Sequence, residues 1–208
     1  MQSCMWLIQK VKKNNNKGAL DAITNPKGMG IFMYNSFEKG LVFNVSDKSM
    51  DYRGYHITRE EAERLPMKKM AITMSPKEWR KVCDYVMLGT WFMNEEIYSS
   101  KPNPRVGLLY NRVNMCSNIR KDIIELIKQK KVSNTVTLSI LEWSTLRDCI
   151  WQGMNWMLYH SHKRNFSYAK CEGMKYHDMI MAKEREAYDE MTPEEKISLT
   201  YHMAVNFV

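Results

Sequence analysis

At 208 residues, with 44% hydrophobic and 26% charged side chains, the chain has the size of one domain, or one domain with an appendage, and the composition of a folded protein. No apolar run approaches the roughly 18 residues that cross a bilayer, so no membrane is expected among its partners, and residues 1–10 lack the cationic start and cleavage site of a signal peptide. The net charge of +8 is uneven: 28 cations stand against 17 anions over residues 1–182, and three against six over 183–208.

In chain order, Met5 to Ile8 is a short apolar patch, and Lys10 to Lys17 is a polar basic linker containing Lys12, Lys13 and Lys17. Two β-rich runs follow, Gly30–Tyr34 and Gly40–Val45, with a hairpin loop at Asn35–Lys39 and a third strand expected at Arg53–Ile57. Thr58-Arg59-Glu60-Glu61 is a capping box that starts a helix. Ser75-Pro76-Lys77-Glu78 starts another, predicted to run to about Tyr98 with Trp79, Val82, Val86, Met87 and Met93 at helical spacing. A third is predicted from Pro104 to Lys131, with Val106, Leu109, Val113, Cys116, Ile119, Ile123 and Ile127 as one buried stripe. Ser133-Asn134-Thr135 reads as a turn before a helix over Val136–His162, faced by Trp143, Leu146, Ile150 and Met157, where Gly153 lets a partner helix come close. Helices over Tyr168–Asp189 and, from a Thr192-Pro193-Glu194-Glu195 box, Pro193–Asn206 complete the chain. No internal repeat at a fixed period is read from the sequence. The expected fold is α+β, mainly α: a small N-terminal β-hairpin or three-stranded element over 1–74, then a bundle of about five helices over 75–208.

Chemical motifs are few. His56-Ile57-Thr58 is half of the paired H-x-T arrangement that two-histidine phosphoesterases need, and no second H-x-[ST] supplies the complementary acid or base. His160, His162, Cys171 and His177 are zinc-type side chains without finger spacing, so no metal is expected. The nine glycines form no phosphate loop, and Glu184, Glu186 and Glu190 read as a solvated helix face. Five scattered cysteines, with no C-x-x-C, read as reduced and mostly buried thiols. No catalytic residue and no cofactor is expected.

Tryptophans are more informative. On one helix Trp143, Trp151 and Trp156 point in three directions, at about 100° per residue, so they cannot share one core and at least one should meet a partner. Candidate partner-binding residues are Phe32, Tyr34, Phe37, Phe43, Trp151 and Trp156. Candidate nucleic-acid contacts are Lys12, Lys13 and Lys17 of the basic linker, with Arg53, Lys163 and Arg164, where cations neighbour aromatics. The 18 methionines, 21 lysines and 15 asparagines against eight alanines fit an AT-rich genome such as that of a virus or phage. The expected function is a non-enzymatic assembly or interaction protein, a connector, ring or adaptor subunit contacting other protein subunits as a homo-oligomer or larger assembly, in the host cytoplasm or the virion. Two rival readings are a basic nucleic-acid-binding protein and an intracellular inhibitor of a host defence or replication enzyme.

Overall fold

The computed structural model describes residues 42–44, 49–52, 55–99, 106–129, 131–160, 167–168 and 171–205. The elements in chain order are β1 (Val42–Asn44), β2 (Ser49–Tyr52), β3 (Tyr55–Ile57), α1 (Arg59–Arg64), β4 (Lys69–Met74), α2 (Pro76–Ile97), α3 (Val106–Lys128), β5 (Asn134–Ser139), α4 (Ile140–His160), α5 (Glu172–Asp189) and α6 (Pro193–Val205). The protein is α+β and mainly α. It divides into two compact units, Met1–Lys68 with Tyr188–Val208, and Lys69–Ala187.

In the first unit β1, β2 and β3 form an antiparallel meander. β1 and β3 lie in predicted strand runs, whereas β2 was not foreseen, and the runs over 30–34 and 35–39 lie outside the described residues. α1 starts at the Thr58 box, with the Thr58 backbone N–H donating to Glu61 Oε2 at 2.9 Å and the Glu61 N–H to Thr58 Oγ1 at 3.3 Å. α6 begins at the equivalent Thr192–Glu195 box. It packs on α1, where Ser198 Oγ donates to the Ala62 carbonyl at 3.2 Å, and it buries Ile197, Leu199, Tyr201 and Met203 on several sides.

In the second unit β4 and β5 pair antiparallel, from Lys69↔Ser139 to Met74↔Asn134. Met70, Ile72 and Met74 point inward with Asn134 and Val136, while Lys69, Ala71, Thr73, Thr135 and Thr137 are exposed. β5 occupies residues read above as a turn and the first helical turn. The helix begins instead at Ile140 because Ser139 is its cap: the Ser139 N–H donates to Glu142 Oε2 at 2.7 Å, and the Glu142 N–H to Ser139 Oγ at 3.2 Å. Ser139→Ala should lower stability by about 0.5–2 kcal/mol in denaturant melts. The predicted stripe of α3 is buried except at Val106, the first helical residue, which is 39% exposed, and Met157 on α4 is only half-buried.

The second unit is an internal repeat, contrary to the sequence reading. β4–α2–α3 recurs in order as β5–α4–α5 at an offset of about 64 residues. One two-fold operation exchanges the ribbon, indole and helix-crossing contacts of β4–α2 and β5–α4, whereas α3 packs far more closely on α2 than α5 does on α4. Ile72 pairs with Val136, its own equivalent. Trp79 Nε1 donates to the Asn134 carbonyl at 2.9 Å, and Trp143 Nε1 to the Met70 carbonyl at 3.0 Å. The two indoles stack on each other at 6.3 Å. α2 and α4 cross at Gly89 and Gly153, where a Cβ would stand 2.0 Å from the Cys149 carbonyl oxygen and 2.2 Å from that of Tyr85. Over 69–97 the halves share seven residues, Thr73/Thr137, Ser75/Ser139, Glu78/Glu142, Trp79/Trp143, Asp84/Asp148, Gly89/Gly153 and Met93/Met157. Several of these sit at the cap, the indole stack and the crossing, where geometry leaves little choice of residue. Elsewhere the halves have diverged, which hides the repeat from a search for periodicity.

Candidate nucleic-acid interface

β4 and β5 make a two-stranded ribbon with one face against the helices and the other in solvent. Six residues at about 3.4 Å each give it a length of roughly 20 Å. Its outer face carries short side chains: Ala71, Thr73, Thr135 and Thr137, with Lys69 at one end. Thr73 and Thr135 share a hydrogen bond of 2.7 Å across the strands, leaving each hydroxyl oxygen with acceptor capacity outward. Cations flank both ends. Lys69 stands at the start of β4, and at the other end Lys131 precedes β5 while Lys77 lies in the first turn of α2; all three are exposed. The major groove of duplex DNA, about 12 Å wide, admits a two-stranded ribbon. Threonine and alanine suit hydrogen bonds to base edges and contact with the thymine methyl, and flanking lysines suit phosphates.

Lys12, Lys13, Lys17, Arg53, Lys163 and Arg164 lie outside the described residues, as do Phe32, Tyr34 and Phe37; Phe43 is in β1, without a described side chain. Trp151 is half-buried and held within the second unit, stacking on Tyr168 at 4.9 Å and tilting against His177 at 5.5 Å. Trp156 packs on His160 at 3.8 Å and edge-on to Trp91 at 5.7 Å. Trp143 is the core member of the three, at 0% exposure. The side-by-side ends of α2 and α4 form an aromatic surface the sequence reading missed. There Trp91 is 46% and Tyr159 66% exposed, with Phe92 stacked on Tyr159 at 5.7 Å. The angular argument used for α4 would have found Trp91, about 120° around α2 from Trp79.

Glu184 is the other correction. It is fully buried rather than on a solvated face, its carboxylate 3.0 Å from Arg147 Nε, with Arg147 only 4% exposed. Arg147 Nη2 also donates to Ser144 Oγ at 3.2 Å and lies 3.6 Å from Asp148, which Arg112 approaches at 3.8 Å. Burial pushes the Glu184 carboxyl up to about 7, against the pull of Arg147. This network joins α4 to α5. His56 Nδ1 meets Asp51 at 3.0 Å, and Thr58 is engaged in its cap. Cys83, Cys116 and Cys149 are free and buried, Cys171 free and partly exposed. Among the described residues no group of three or more His, Cys, Asp or Glu could hold a metal, and no helix is long and apolar enough to cross a membrane. No family model, curated protein or solved structure matches the chain.

Proposed function

We propose that this is a non-catalytic DNA-binding protein whose β4–β5 ribbon enters the major groove of a duplex. One observation carries the reading: a solvent-facing antiparallel ribbon of groove dimensions, lined by small hydrogen-bonding side chains and flanked by lysines at both ends. The excess of cations over residues 1–182 supports it through long-range attraction to phosphates. Fluorescence anisotropy of the full chain with labelled duplex DNA tests it. Binding should weaken steeply between about 50 and 200 mM salt, and Lys69→Ala with Lys131→Ala should reduce the log–log salt slope by roughly 1.8. Failure to bind duplex at low salt, or a slope unmoved by the double substitution, would reject the ribbon as the contact.

A second reading, an assembly or interaction subunit contacting other protein chains, is supported by the exposed aromatic ends of α2 and α4. Light scattering separates the two. A defined oligomer without DNA that falls to monomer in Trp91→Ala/Tyr159→Ala favours assembly, and a monomer that shifts only with DNA favours the ribbon.

A further inference from the structure

We infer that one copy of this chain reads both halves of an imperfect inverted repeat, with the dyad of the DNA site at the Ile72–Val136 pair. The inference rests on the ribbon being the DNA contact and adds what kind of site it recognises.

A DNA-binding unit with two-fold symmetry imposes that symmetry on its site, so that half-sites mirror each other. Here the symmetry operates inside one chain. Ile72 and Val136 are paired equivalents, and the reciprocal indole bonds, Trp79 to Asn134 and Trp143 to Met70, fix the same axis at the base of both helices. The caps at Ser75 and Ser139 repeat it at the strand ends. A single chain therefore presents two equivalent reading edges, which in a symmetric homodimer would need two chains.

The outward residues of these edges are only partly the same. Thr73 is matched by Thr137, so both half-sites meet threonine at that position. Ala71 is matched by Thr135, and Lys69 by Ser133. An alanine offers a methyl contact and no hydrogen bond, whereas threonine offers both, and Lys69 adds a phosphate contact that Ser133 does not. The two half-sites are thus expected to agree at the step read by Thr73 and Thr137 and to differ at the step read by Ala71 and Thr135, which stand opposite Thr137 and Thr73 across the ribbon. The inward positions carry no such freedom, because they pack against the helices: Ile72 and Val136 are 4% and 9% exposed.

The test is selection from a random duplex library with the full-length protein, followed by anisotropy titration on the enriched site. Two symmetrised duplexes, each with one half-site repeated, are titrated beside it. The expected result is an inverted repeat with mismatched arms, bound by one chain per duplex. Each symmetrised duplex should bind roughly 5- to 150-fold more weakly per altered base pair. Ala71→Thr, a surface change in an exposed strand position, should shift preference toward the duplex symmetrised on the half read by Thr135. An enriched site without inverted symmetry, two chains per dyad, or preferences unmoved by Ala71→Thr would overturn the inference while leaving DNA binding intact. Absence of any enrichment would overturn both.

Discussion

Gly153→Ala is expected to destabilise the second unit by about 3 kcal/mol or more, near or above the upper end for an overpacked site. The added Cβ would stand 2.2 Å from the Tyr85 carbonyl oxygen and 3.2 Å from the Gly89 nitrogen, all backbone atoms that no rotamer change can move. Relief requires α2 and α4 to separate. That would also disturb the Trp79–Trp143 stack and the Cys149 thiol, which donates to the Val86 carbonyl at 3.4 Å. Gly107→Ala is the control: nothing lies within 4 Å of its Cβ, and alanine in a helix gains up to about 1 kcal/mol over glycine. Urea melts of the two variants compare the effects directly. A Gly153→Ala protein as stable as Gly107→Ala would mean the helices do not cross where Gly89 and Gly153 face each other.

Arg147→Met is expected to cost about 3–5 kcal/mol at pH 8, since removing one member of a buried ion pair strands the other. Glu184 would be left 0% exposed with Asp148 as a neighbouring like charge and no counter-ion. At pH 5 the loss should be smaller, because the isolated carboxyl takes up a proton. The wild-type protein follows the same direction more gently. With its folded-state value raised from 4.5 to about 7, Glu184 contributes stability that is fully present below 4.5 and lost as the pH rises through about 7. Glu184→Gln should remove this component of the pH dependence. Equal losses for Arg147→Met at pH 5 and pH 8 would show that the carboxyl finds solvent when its partner goes.

Most of the helical framework was legible because its signals are local. Hydroxyl–Glu boxes at Thr58, Ser75 and Thr192 each satisfy backbone donors within four residues, and the α3 stripe lies on one helix face. The box at Ser139 is equally local, but the apolar Val136 and Leu138 before it also suit a helix, and only their alternation with Thr135 and Thr137 marks the strand they form. β4, with Met70, Ile72 and Met74 at every second position, was lost in the approach to the Ser75 cap. Glu184 looked solvated because its charge was weighed without its spacing. Tyr176, Ile180, Glu184 and Ala187 form one buried stripe on α5, and Arg147 is 37 residues away. The ribbon escaped notice for a different reason: its pairing joins strands 65 residues apart, and neither strand alone suggests a reading surface.

The two-fold arrangement on a single chain changes how the second unit answers to dilution. When equivalent halves are separate polypeptides, folding is inseparable from association, and the folded fraction falls as protein concentration falls. Here the halves are joined through the short stretch between α3 and β5, so each meets the other at a fixed effective concentration set by that tether. Encounter is first order, and a cell holding only a few copies retains the paired form as well as one holding thousands. The joined halves are also free to change one at a time, since a substitution in β4 is not automatically repeated in β5.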